Sequence, residues 1–264
     1  MDLALTGKVA LVTGGSQGIG RAIALTLAAE GADLTLCARR AGPLVDAAGA
    51  VAALGRAAET VTADVATPDG AASALATTLD RFGRIDILVN NAGKGSPKPL
   101  LELTDDDWYR SLELNLMSAV RLSLASVPHM RTAGGGRIVN ISSRVAREPD
   151  AYFAPYAAAK AALINFTKSL ANAVAPDGIL ANCVVPGLIR GEGVQEAAER
   201  SAAATGMTVE EVYTDTLRKR PIPAGRLGEP EDVAGLVALL VSARASWITG
   251  SCFTVDGGIV RSDR

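Results

Sequence analysis

Tyr156 and Lys160 lie in an alanine-rich stretch that carries Leu163, Phe166 and Leu170 at helical spacing, so one helical turn brings a phenol and an ammonium to the same face. A phenol with a free pKa of about 10 is a poor acid or base near neutrality. A neighbouring cation stabilises its anion, so the pair predicts a phenol tuned downward for proton transfer. Ser143 closes a strand-like run at 137–141 that follows three glycines, which would let its hydroxyl hold a substrate oxygen beside the phenol. Each piece also has an ordinary reading, because Tyr-x-x-x-Lys occurs on many helices and serine pairs end many strands.

A second chemical feature lies near the amino terminus. An apolar run at 9–13 leads into Thr13-Gly14-Gly15-Ser16-Gln17-Gly18-Ile19-Gly20 and then into a helical pattern. Glycines at the turn, at the approach to a ligand and where helix meets sheet suit a diphosphate held by backbone N–H groups and the helix dipole. A glycine-rich turn alone is also a common structural β-to-α connection, and the strand-turn-helix context is what points to dinucleotide binding.

These residues need a scaffold, and the hydrophobic pattern supplies one. Short strand patterns at 9–13, 34–38, 60–63, 85–90, 137–141, 180–185 and 252–255 alternate with helical patterns at 19–30, 43–54, 69–82, 105–130, 156–175 and 230–241. Such alternation predicts an α/β domain with a mostly parallel sheet covered on both faces. The stretch 188–226 breaks the rhythm, with polar, glycine-punctuated sequence and one predicted helix at 209–217, and is a candidate lid.

At 264 residues, 48% hydrophobic and 20% charged with a net charge of -2, the chain suits one large domain. That balance gives no basic surface for nucleic acid. Cys37, Cys183 and Cys252 sit in apolar strand-like runs without C-x-x-C spacing, so they are expected to be buried free thiols in a reducing compartment. His129, the single histidine, follows Pro128 and reads as a solvated helix-end residue, so no metal site is expected. The amino terminus lacks a charged region followed by a long apolar run, and no apolar stretch approaches membrane-spanning length. Together these features imply a soluble cytoplasmic protein with no membrane partner.

Taken in order, the motifs resemble those of the short-chain dehydrogenase/reductase family over nearly the whole chain. T-G-x-x-x-G-x-G falls on Thr13, Gly14, Gly18 and Gly20; Asp-Val on Asp64 and Val65; N-N-A-G on Asn90, Asn91, Ala92 and Gly93. The helix asparagine falls on Asn115, the serine on Ser143, Y-x-x-x-K on Tyr156 and Lys160, and Pro-Gly on Pro186 and Gly187; Val255 to Gly258 matches the closing segment. The resemblance implies a single-domain Rossmann fold over 1–264, doubly wound around a seven-stranded parallel sheet. It also implies hydride transfer between nicotinamide and a carbonyl or secondary alcohol of a small or medium-sized molecule.

In that scheme Ser143 holds the substrate oxygen, Tyr156 is the general acid or base, and Lys160 lowers the tyrosine pKa and binds the nicotinamide ribose. Asn115 holds a water for proton resupply. The coenzyme would be bound by Gly14, Ser16, Gln17, Gly18, Ile19, Gly20, Asp64, Val65, Asn91, Ala92 and Gly93, by Tyr156 and Lys160, and by Pro186, Gly187 and Ile189. After the second strand the chain has Ala38 where NAD-type members usually place aspartate, followed by Arg39 and Arg40, which favours NADP over NAD.

Substrate identity is less constrained. The nearest pattern is that of 3-oxoacyl-carrier-protein reductases and related ketoreductases, but Asn172 replaces a basic carrier-docking residue and Arg190 replaces a threonine of that pattern. Lys94, Arg144, Arg147 and Arg190 suggest an anionic substrate clamped by Arg147 or Arg190, with pairing to Glu148 and Glu192 as the ordinary alternative. A non-catalytic NADP-sensing protein is the rival from another class. The resemblance also implies a homotetramer, with Ala157, Ala161, Phe166, Ala171 and Val174 forming a second apolar surface.

Overall fold

The computed structural model describes residues 3–261, without the side chain of Glu192. Seven parallel strands form one sheet in the order β3-β2-β1-β4-β5-β6-β7. They are β1 (Val9–Thr13), β2 (Asp33–Ala38), β3 (Ala58–Thr62), β4 (Ile87–Asn90), β5 (Gly136–Ile141), β6 (Ile179–Pro186) and β7 (Cys252–Val255). Every residue of β1 and β4 is buried, as strands covered on both faces require. This is the doubly wound α/β architecture that the alternating pattern predicts.

Side chains alternate across the sheet into two cores. Ala10, Val12, Leu34, Leu36, Val89 and Val184 pack on one face with α1 (Gly18–Ala29), α2 (Ala41–Ala53) and α9 (Pro230–Val241). Leu11, Leu88, Ile138 and Ala181 pack on the other with α3 (Pro68–Phe82), α5 (Ser118–Thr132) and α6 (Ala154–Val174). Helix ends are fixed locally. The Thr67 hydroxyl accepts from the Gly70 N–H at 3.0 Å to start α3, and left-handed Gly83 ends it.

Two segments differ from the sequence pattern. The helix expected at 105–130 is interrupted: α4 (Asp105–Leu112) passes through a π turn, Glu113–Met117, before α5 begins. The stretch 188–226 holds two helices, α7 (Glu192–Thr205) and α8 (Val209–Lys219). The first escaped detection because its alanines and glutamates give only a weak apolar stripe. These helices share a third core, in which Ala198, Val212, Tyr213, Ile222 and Leu227 meet Ile259.

The expected second apolar face of α6 does not form as read. Ala157, Ala171 and Val174 are buried within the chain, leaving Ala161 exposed and Phe166 half-buried. His129 is exposed in the last turn of α5. Cys37 and Cys183 are buried, whereas Cys252, on the edge strand, is only half-buried. No helix among the described residues is long and apolar enough to cross a membrane.

Candidate active site

The carboxyl ends of β1, β4, β5 and β6 open on one edge of the sheet, and the strand order reverses between β1 and β4, where open α/β sheets bind ligands. The turns after these two strands are bolted together. Thr13 Oγ1 accepts from the Asn91 and Ala92 N–H groups, each at 3.0 Å, and the Asn91 amide donates to the Thr13 carbonyl at 3.0 Å. Gly14 and Gly18 take positive φ, and a Cβ on Gly20 would lie 2.1 Å from the Gly14 carbonyl oxygen. Only glycine permits that approach.

No side chain caps α1 and its first turn carries no acid, so its N–H groups face the turn without a competing anion. This backbone cradle fits a diphosphate. Ser16 is buried and Ile19 packs against the core. Arg39 is exposed just beyond β2, and the Arg40 guanidinium donates to Gln17 Oε1. Asp64 Oδ1 accepts from the Ala66 N–H at 3.0 Å, beside buried Val65. Buried Pro186 ends β6, the Gly187 N–H donates to the Val255 carbonyl at 2.9 Å, and buried Ile189 bridges to Gly228.

The Ser143, Tyr156 and Lys160 group assembles at the end of β5. Ser142 Oγ donates to the Lys160 carbonyl at 2.9 Å, which pins α6 to the strand end. Burial raises the Tyr156 phenol above its ordinary value, and the neighbouring Ser143 hydroxyl pulls it more weakly the other way. The expected downward tuning by Lys160 is therefore absent. Lys160 Nζ donates to the Ile141 carbonyl at 2.8 Å and lies 5.8 Å from the centroid of the Tyr156 ring. Burial lowers the lysine pKa to about 8, against a weaker upward pull from Cys183.

Asn115 is buried in the π turn, a distortion found often at functional sites. Its Oδ1 accepts from the Lys94 N–H at 3.0 Å, and its amide donates to the Lys94 and Ser111 carbonyls, each at 3.1 Å. The side chain thus clamps the N-N-A-G turn. Gly93 brings the parts together, because a Cβ there would meet Asn115 Oδ1 at 2.8 Å and Lys160 Nζ at 3.0 Å. Asn90 is a buried strand-end group donating to Asn140 Oδ1 at 2.8 Å and to Ser123 Oγ at 3.1 Å.

Sequence reasoning missed Gly95. A Cβ there would lie 3.0 Å from Phe153 Cδ1 and 3.2 Å from Tyr156 Cδ1, and its position just after Gly93 was the available signal. The proposed anion clamps have other partners. Arg147 donates to Cys252 Sγ at 3.4 Å; Arg190 pairs with Glu229 at 3.3 Å and Glu210 at 3.7 Å and stacks 4.8 Å from the Tyr213 ring centroid. Lys94 reaches Glu196 on α7 at 3.8 Å, and Arg220 beyond α8 meets Asp150 at 3.2 Å. Among the described residues, no group of three or more His, Cys, Asp or Glu side chains is placed to hold a metal.

A glycine-lined turn at the switch point thus lies beside a serine, a tyrosine and a lysine at the next strand end. Residues 8–202 match the family model described as short chain dehydrogenase, and the chain belongs to that family. It is 40% identical over 258 residues to the 3-oxoacyl-acyl-carrier-protein reductase FabG of Vibrio cholerae, covering 97% of this chain and 98% of the relative. Among solved structures it is similar to L-sorbose reductase from Gluconobacter frateurii complexed with NADPH and L-sorbose, with TM-score 0.96, 39% identity and coverage of 99% and 100%. A single-residue variant of the actinorhodin polyketide ketoreductase with NADPH gives TM-score 0.89 and 33% identity, with coverage of 97% and 98%.

Proposed function

We propose that this protein is an NADP-dependent reductase that moves hydride between nicotinamide and a carbonyl or secondary alcohol of a small or medium-sized substrate. The observation that carries this reading is the meeting of Ser143, Tyr156 and Lys160 at the strand edge that also holds the glycine cradle. When bound, the nicotinamide supplies or accepts the hydride. The α1 N-terminus, Asn91 to Gly93 and Pro186 to Ile189 would hold the coenzyme, with Asp64 and Val65 on the adenine side. Arg39 and Arg40 suit the additional phosphate of NADP, and NADPH occupies two of the similar structures.

In reduction, Ser143 orients the substrate oxygen and Tyr156 gives it a proton as charge develops there; in oxidation the same phenol takes the proton. A phenol raised by burial holds that proton at neutral pH, which suits the acid role. Lys160 stands behind the phenol, where its lowered pKa suits proton resupply near neutrality, and it would also bind the ribose. Asn115 acts by fixing the Lys94 peptide and the wall formed by Gly93, and the water assigned to it would have to be held by the backbone of the π turn. The segment 188–226 serves as the substrate lid, tied to the site by Lys94 and Arg220.

A carrier-borne acyl substrate is the second reading, favoured by the curated relatives. Exposed Asn172 on α6 stands where carrier-protein reductases commonly carry a basic docking residue, which supports the small-molecule reading. Intact Ser143, Tyr156 and Lys160 likewise weigh against a purely NADP-sensing role. We place the protein in the cytoplasm and propose a homotetramer, whose helical interface would cover exposed Tyr109 and Leu124. Light scattering at micromolar concentration should give four times the chain mass, and a monomer mass would contradict the assembly. The functional test is NADPH consumption against ketoses, simple ketones and 3-oxoacyl thioesters. Turnover of a free ketose or ketone above the thioesters supports the proposal, and thioester-only turnover supports the carrier reading.

A further inference from the structure

Cys183 on β6 and Cys252 on β7 are direct register partners in the parallel sheet, so both side chains leave it on the same face. Neighbouring strands lie about 4.8 Å apart, inside the roughly 4.4–6.8 Å between Cα atoms that a disulfide accepts. The Cys183 thiol donates to the Val184 carbonyl at 3.8 Å, so no strong partner holds it away from Cys252. Their surroundings differ. Cys183 is buried against α6, whereas Cys252 is half-buried on the edge strand and receives the Arg147 Nη2 donor at 3.4 Å. Among the described residues Arg147 meets no carboxylate within ion-pair distance, so its charge is turned to the sulfur.

The Cys183 thiol and Arg147 together hold the Cys252 thiol below its ordinary range, while Cys252 and then burial push Cys183 up. Cys37 provides a contrast within the same chain. It is buried, points at the Ala63 carbonyl at 3.9 Å and is pushed up to about 12 by burial and then by Asp64. A buried, fully protonated thiol of that kind is inert.

We propose that Cys252 is a hydroperoxide-reactive thiol and that Cys183 resolves it, forming a disulfide that ties β6 to β7. In the first step the Cys252 sulfur attacks one peroxide oxygen. An S–O bond forms, the O–O bond breaks, and the departing oxygen takes the thiol proton to leave as water or an alcohol. In the second step Cys183 sulfur attacks the sulfenic sulfur. An S–S bond forms, the S–O bond breaks, and the hydroxyl leaves as water with the Cys183 proton. Two thiols are oxidised and one hydroperoxide is reduced. The strand being tied continues into Pro186 and Gly187 and lies beneath Lys160, so the bridge couples redox state to the edge of the active site.

The test treats the intact protein with hydrogen peroxide, counts free thiols after denaturation and maps linked peptides without reduction. Free thiols should fall from three to one, with Cys37 remaining and a Cys183–Cys252 peptide appearing. Cys252→Ser should keep its two thiols, and Cys183→Ser should stop at a Cys252 sulfenic acid captured by dimedone. Measured at about pH 5, below the Cys252 pKa of about 6, Arg147→Ala should slow the reaction about tenfold for a rise of roughly one pKa unit. Persistence of all three thiols under excess peroxide, equal loss at Cys37, or a disulfide joining two chains would overturn the proposal. An unchanged rate in Arg147→Ala, with circular dichroism showing an intact fold, would remove the arginine from it.

Discussion

Lys160 lies over the Tyr156 ring, 5.8 Å from its centroid, and spends a hydrogen bond on the Ile141 carbonyl at 2.8 Å. The ammonium is buried, among the described residues no carboxylate pairs with it, and its pKa falls from 10.5 to about 8. Between those values the unfolded chain binds the proton and the folded chain does not, so this group makes stability rise with pH across that window. The Lys160→Met variant lacks the effect. From pH 8 to about 10, the wild-type Tm should therefore climb relative to that of the variant. A difference that stays flat or moves the other way would show that the lysine is not desolvated in the folded protein.

Gly20→Ala tests the cradle. The added methyl would lie 2.1 Å from the Gly14 carbonyl oxygen, and backbone cannot yield as a flexible side chain does. NADPH affinity, measured by fluorescence titration, should fall at least about tenfold through displacement of the turn. Wild-type affinity in this variant would place the diphosphate elsewhere.

Much of this arrangement is legible in the sequence because β1 and β4 are buried on both faces and read as short apolar runs, and β6 as one interrupted by Asn182. The Ser143, Tyr156 and Lys160 spacing likewise places three side chains on two adjoining elements. Features set by tertiary contacts were not legible. Nothing local to Lys160 shows that Ile141 will claim its proton, or that the phenol will be raised by burial instead of lowered by charge. The partners of Arg147 and Arg190 come from distant segments, so a count of cations near the motifs overstated the charge offered to a substrate. The π turn at Asn115 keeps an ordinary helical composition, and α7 buries too few apolar residues to show a stripe.

Coenzyme choice should follow the end of β2. Ala38→Asp with Arg39→Leu adds a charge that repels the phosphate and removes a guanidinium that attracts it. The ratio of kcat/KM for NADPH to that for NADH should fall about tenfold or more. Equal use of both coenzymes by the wild type would contradict the reading of Arg39.

At the opposite edge of the sheet, Asp86 is a purely structural anchor. It accepts from the Val9 N–H at 3.0 Å and from Arg84 Nε at 2.9 Å, and it lies 3.4 Å from Lys8 Nζ. Asp86→Asn should cost about 2 kcal/mol in urea unfolding by weakening a buried charged acceptor. Its kcat should be unchanged, and loss of turnover without loss of stability would contradict the division between the two edges.

The central claim, hydride transfer with Tyr156 as the proton donor, is tested most directly with NADPH carrying deuterium at the transferring carbon. With a ketone or ketose that the wild type consumes, the label should appear on the new carbinol carbon. The Tyr156→Phe variant should bind NADPH with near wild-type affinity and lose about 100-fold to 10,000-fold in kcat, the usual range for a general acid. Turnover in Tyr156→Phe close to wild type, or a product without deuterium at that carbon, would contradict the account.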